Sequence, residues 1–258
     1  TTPDIALAQK LCNETGYQKA FFCNSGAEAN EALLKIARKY SFDKYGKGRH
    51  TIITLVNSFH GRTMNTLTAT GQEVFHNFFF PFAEGFRYAQ PTWEGVQEQL
   101  DDTVCGILIE PIQGEGGVCP LDKEFVRKLA QLCAEKDILL LCDEVQTGIG
   151  RTGKLLAAEW FDVKPDVVSL AKGLGGGLPI GAVLCNESAG PLPPRHYLWR
   201  QPGSLRRGSG VHQPHCRSCL FAAGTGEGEP DPFHLEPVPG GGGHCRAGHD
   251  AEHSVEDE

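Results

Sequence analysis

The sequence predicts an α/β fold built on a mostly parallel sheet, and three features carry that reading. Short apolar runs alternate with helix-patterned stretches along residues 1–187. Two of the runs, VCGILI at 104–109 and ILLLC at 138–142, are continuously apolar, as in strands buried on both faces. Polar clusters follow the strand ends, where open α/β sheets place their chemistry. They are NSG after AFFC, NSFHGR after TIITLV, EPIQGEGG after VCGILI and DEVQ after ILLLC.

Thr2-Pro3-Asp4 supplies a cap, a first-turn proline and a first-turn acid, opening a helix that runs to about Cys12. Residues 20–23 (AFFC) form a short strand, and Asn24-Ser25-Gly26 a turn. Residues 27–44 show helical periodicity through Ala29, Ala32, Leu33, Ile36 and Tyr40. Residues 51–56 and 104–109 are strands, and 122–136 an amphipathic helix. The strand at 138–142 ends on Asp143-Glu144, and shorter strands follow at 167–170 and 182–185.

Composition narrows the function. With 24 basic and 32 acidic residues the net charge is −8, which disfavours binding to a phosphate backbone. No run of about 18 apolar residues is present to make an ordinary transmembrane helix. The first residues, TTPDIALAQK, lack the basic start and apolar stretch of a signal peptide. They also lack a Met, so the chain reads as starting inside a longer protein. Ten Cys in 258 residues are too few for a disulfide scaffold, and a cytoplasmic location is expected.

Three constellations carry chemistry. Asn24-Ser25-Gly26-Ala27 joins a strand to a helix, where backbone N–H groups hold a phosphate or simply form a capped turn. Asp143 ends a buried strand and requires a cation or a hydrogen-bond network. Lys172 follows a strand and precedes a Gly-rich loop, as a poised amine or a solvent-facing side chain. Together a phosphate cradle, a buried Asp and a Lys suggest pyridoxal 5′-phosphate (PLP), which needs a Schiff-base Lys and an acid opposite its ring nitrogen. The run GIGRTG at 148–153 matches G-x-G-x-x-G, but DEVQ separates it from its strand, which argues against a dinucleotide site. The seven Cys of residues 1–187 show no metal-ligand pairing, and no metal is expected there.

The runs FFCNSGAEANEALLKIAR, SFHGRTMNTLTATGQ, ILIEPIQGEGGV, LLCDEVQTGIGRTGK and SLAKGLGGGLPIGA resemble the class-III, fold-type I aminotransferases. The resemblance covers residues 1 to about 187 and lies nearest the subgroup that includes acetylornithine and ornithine aminotransferases. It implies that residues 1–187 are the PLP-binding large domain, truncated at its start. By that resemblance Ser25, Gly26 and Ala27 serve the cofactor phosphate, and Phe59 stacks on the ring. Asp143 pairs with the ring nitrogen and Gln146 approaches the ring hydroxyl, with Glu144 and Val145 beside them in the cofactor site. Lys172 is the Schiff-base lysine, Arg62 binds the substrate α-carboxylate, and Glu115 stands near the substrate entrance. The implied reaction is transamination of N-acetylornithine with 2-oxoglutarate in arginine biosynthesis, by a cytoplasmic homodimer. The alternatives are an ornithine or 4-aminobutyrate aminotransferase, or a non-catalytic remnant of one.

The composition breaks after Glu187. Residues 188–258 contain no Lys, Ile, Asn or Met, yet hold 7 of the 10 His, 9 of the 16 Pro and 12 of the 32 Gly. A Pro/Gly-rich linker would not exclude Lys and Asn. The family continues here with a T-x-F-G-G-N-P segment, then a small domain, and neither is present. A permitted set of codons for residues 194–213, read from its second nucleotide, gives PGTTFGGNPVACAAAAACI, and Trp199 leaves no codon choice. The expectation is a one-nucleotide slip between about residues 187 and 194, leaving an out-of-frame, disordered tail and a missing or garbled small domain. The rival reading, a zinc site from Cys216, Cys219, His249 and His253, falls away beside it.

Overall fold

The structure is a computed structural model and describes residues 2–189. The expectations for residues 190–258, including the zinc alternative, lie outside the described residues.

A seven-stranded sheet organises the chain. Its strands are β1 (Lys19–Cys23), β2 (Thr51–Leu55), β3 (Phe86–Ala89), β4 (Val104–Ile109), β7 (Leu139–Asp143), β8 (Val167–Leu170) and β9 (Gly181–Cys185). Two short strands, β5 (Ile112–Gln113) and β6 (Cys119–Pro120), form a separate ribbon. The sheet order is β1-β9-β8-β7-β4-β2-β3, and β9 alone runs against the others. The carboxyl ends of β7, β8, β4 and β2 therefore share one edge. β4, β7 and β8 are buried along their whole length, as their unbroken apolar runs require.

Five α-helices flank the strands: α1 (Thr2–Thr15), α2 (Gly26–Tyr45), α3 (Met64–Ala69), α4 (Trp93–Gln99) and α5 (Lys123–Lys136). Ser25 caps α2, its hydroxyl oxygen accepting the Glu28 N–H at 3.2 Å, and Gly46 closes the helix at φ 76°. The apolar stripe Ala29, Leu33, Ile36 and Ala37 packs α2 onto Ile52, Leu108, Leu141, Val167 and Val183 of the sheet. In α5, Asp122 caps the first turn through the Phe125 N–H at 2.8 Å. Phe125, Val126, Leu129, Leu132 and Cys133 form its buried face.

The expected elements are present with small shifts at their ends. The first helix runs on to Thr15, and the strand before Glu144 takes in Asp143 as its last residue. Besides the 3-10 turns, five elements were not foreseen: α3, β3, α4, β5 and β6. The first, MNTLTA, carries two β-branched Thr and is short, so tertiary contacts hold it rather than propensity. The GIGRTG run forms successive turns, with Gly150 at φ 81° and Gly153 at φ 89°, leading into the short 3-10 helix Ala157–Phe161.

Candidate active site

A cavity of about 700 Å³ opens at the carboxyl edge of the sheet, between the start of α2 and the loops after β2, β7 and β8. Asn24, Ser25, Gly26 and Ala27 line one end. As the first two residues of α2, Gly26 and Ala27 have no helical acceptor for their N–H groups. That leaves two donors and the positive end of a 20-residue helix facing a cavity, a geometry suited to a phosphate. Gly26 is dictated by space: a Cβ there would come within 2.6 Å of Val145 Cγ1.

Asp143 lies deeper, 5% exposed, at the end of β7. Its Oδ2 accepts from Asn30 Nδ2 at 2.6 Å and is paired with His60 Nδ1 at 2.8 Å. Its Oδ1 accepts the Val145 N–H at 3.0 Å. These donors balance the burial of a carboxylate. With Asp143 as acceptor, the His60 proton sits on Nδ1, and Nε2 is buried without a partner among the described residues.

Lys172 lines the cavity just beyond β8, with its backbone at φ 39° in the left-handed region that non-Gly residues rarely adopt. Arg62 reaches the cavity from the loop before α3. Among the described residues neither cation has a hydrogen-bond or ion-pair partner. Phe59 borders the cavity with its ring edge-on to Phe75, the centroids 5.3 Å apart. Gln146 lies against the bare Gly114, where a Cβ would fall 1.7 Å from Gln146 Oε1.

The structure thus brings Ser25, Gly26, Ala27, Phe59, Arg62, Asp143, Val145, Gln146 and Lys172 around one cavity. Two expected site residues stand apart from its lining. The Glu144 carboxylate is fully buried and turns to the 3-10 helix at 157–161, accepting the Ala158 N–H at 2.8 Å and the Thr147 hydroxyl. Burial pushes it up to about 7. Glu115 is exposed on the loop between β5 and β6.

Sequence reasoning missed four polar residues of this region: Asn30, His60, Glu110 and Ser169. Glu110 lines the cavity, accepts the Phe59 N–H at 2.7 Å, and is pushed up to about 7, chiefly by burial. Its position directly after the β4 run was the signal that could have found it.

The aminotransferase class-III family profile matches residues 1–193. The chain belongs to this family, whose members depend on PLP. An acetylornithine aminotransferase of Haemophilus ducreyi is 55% identical over 186 residues, covering 71% of this chain and 47% of its own. A succinylornithine transaminase of Photorhabdus laumondii is 47% identical, covering 72% of this chain and 46% of its own. A Toxoplasma gondii ornithine aminotransferase structure with partial occupancy of PLP at its active site superposes with a TM-score of 0.74 at 32% identity, covering 81% of this chain and 52% of that one. The fold is that of the fold-type I PLP aminotransferases. The chain spans about half the length of the curated relatives it matches.

Proposed function

We propose that the full-length protein is a PLP-dependent enzyme that transfers the terminal amino group of N-acetylornithine to 2-oxoglutarate, in arginine biosynthesis. One observation carries the reading: free helix-start amides, a buried hydrogen-bonded carboxylate and an unpartnered lysine converge on a single cavity. PLP has a phosphate, a basic ring nitrogen and an aldehyde, and these three features answer to that donor set. Gly26 and Ala27 would bind the phosphate, Asp143 would hold the protonated ring nitrogen, Phe59 would cover the ring and Lys172 would carry the cofactor. When bound, the cofactor supplies an electron sink for the C–H bond broken beside the substrate amine.

The side chains do the rest. Lys172 takes the proton from the amine-bearing carbon of the substrate onto its Nζ. Arg62 presents two parallel N–H donors to a substrate carboxylate and so fixes which bond is presented to the lysine. Phe59 and Ile180 exclude water from the cavity wall.

The choice of amino donor rests on the relatives, which act on acylated ornithines by name. A panel assay of the full-length protein with 2-oxoglutarate tests it, using N-acetylornithine, succinylornithine, ornithine and 4-aminobutyrate as donors. The proposal expects N-acetylornithine to give the highest kcat/KM. Higher kcat/KM with ornithine or 4-aminobutyrate would contradict it.

A homodimer in the cytoplasm completes the reading. Phe78, Phe79 and Phe80 are 93%, 54% and 74% exposed, an apolar surface of the kind that a subunit interface covers. No helix among the described residues is long and apolar enough to cross a membrane. Sedimentation analysis showing only monomer would remove the dimer from this proposal.

A further inference from the structure

Asn30 lies within α2, on the same face as Gly26 and Ala27, four and three residues earlier. It is 1% exposed. Its amide nitrogen donates to Asp143 Oδ2 at 2.6 Å and to the His60 carbonyl at 2.7 Å. Its amide oxygen accepts from the Ser169 hydroxyl at 2.6 Å. Two acceptors on one side and a hydroxyl donor on the other leave the amide a single orientation. Ser169 in turn sits opposite Asp143 in the β7–β8 register.

We infer that Asn30, oriented by Ser169, is a positioning residue that aims the Asp143 carboxylate and fixes its distance from the phosphate-binding turn of α2. The inference rests on the PLP reading given above. One rigid helix then sets both ends of the cofactor site: its first turn offers the phosphate amides, and its second holds the carboxylate. A donor to a carboxylate also favours its charged form, the form that keeps a ring nitrogen protonated. The other titratable groups around Asp143 are His60 beside it, Glu110 at the end of β4, and Cys142 and Glu144 on either side in β7 and its loop. Lys172 lines the same cavity. None of these replaces the Asn30 amide, because His60 and the Val145 N–H already serve the carboxylate at the same time.

The test uses the full-length holoenzyme and two variants: Asn30→Leu, close in shape, and Ser169→Ala, which leaves Asn30 in place, frees its amide to turn and removes the longer Ser169 hydroxyl bond to Asp143 Oδ1 at 3.5 Å. Readouts are the PLP dissociation constant, the pH dependence of the visible absorption of bound PLP, and the melting temperature. Losing one hydrogen bond to a charged group predicts a dissociation constant raised about tenfold to a hundredfold in Asn30→Leu. The acid limb of the absorption profile should move to higher pH. Ser169→Ala should shift both in the same direction by less. A lower melting temperature with unchanged affinity and an unchanged pH limb would mean Asn30 is merely structural and would overturn the inference. If Asn30→Leu does not fold, Ser169→Ala decides: unchanged affinity and pH limb overturn it equally. Wild-type protein that takes up no PLP would instead refute the functional reading on which the inference rests.

Discussion

Asp143 accepts hydrogen bonds from Asn30, His60 and the Val145 backbone while 5% exposed, so its charge is well supplied with donors and poorly supplied with water. Asp143→Asn keeps the shape and removes the charge. Loss of one charge-assisted contact in such a site is worth roughly 3–4 kcal/mol, or about 10²–10³ in rate. Steady-state kinetics of the full-length variant check this, and a rate within about threefold of wild type would reduce Asp143 to a structural role. Arg62→Lys keeps the charge but loses the planar fork. On the proposed role of Arg62 as a holder of substrate carboxylates, KM should rise for the amino donor and for 2-oxoglutarate while PLP still loads. Unchanged kinetics, or loss of cofactor instead, would show that Arg62 serves another group. Asp143 and Lys172 could be read from sequence because each stands at the end of an apolar strand run, where α/β chemistry collects. Asn30, His60 and Ser169 could not. Their contacts with Asp143 span sequence separations of 113, 83 and 26 residues, and each residue alone is ordinary in its local setting.

At the level of elements, loops bear the tightest constraints. Glu144 ties the loop after β7 to the 3-10 helix at 157–161, and burial raises its carboxyl to about 7. In the unfolded chain a Glu titrates near 4.3. Between those values the folded state holds more protons than the unfolded one, so stability falls as pH rises from about 5 to 7. Glu110 adds a contribution of the same sign. Glu144→Gln keeps an acceptor for Ala158 and cannot ionise, so it should remove on the order of 3 kcal/mol of that pH-dependent loss. Denaturant unfolding at pH 5 and pH 7 measures it; an unaltered pH dependence would mean that Glu144 is not the group being titrated. Gly114→Ala should push Gln146 out of the cavity wall, because a Cβ has no room beside its amide. The buried strands and the two long helices were readable because their periodicity is sustained over many residues. β3 and α4 were not. One is a four-residue edge strand, the other a seven-residue helix with Gly95 in its first turn, and both are shaped by what they pack on.

For the molecule as a whole, residues 1–193 match the class-III family while the relatives run to about twice the matched length. We propose that the reading frame slips by one nucleotide between about residues 187 and 194. The proposal rests on the composition break at Glu187 and on the family segment that one permitted choice of codons gives in the neighbouring frame. Sequencing the DNA across this stretch should show the displaced nucleotide, with TTFGGNP encoded once the frame is restored. An intact frame encoding residues 188–258 as written would refute it. On the proposed function, this cavity holds PLP through Lys172. Reducing the full-length holoenzyme with borohydride fixes PLP to whichever lysine carries it, and peptide mass spectrometry then locates the adduct. The expected result is a single pyridoxyl adduct on Lys172, absent from the Lys172→Ala variant. An adduct on a different lysine, or none in protein that performs transamination, would contradict it.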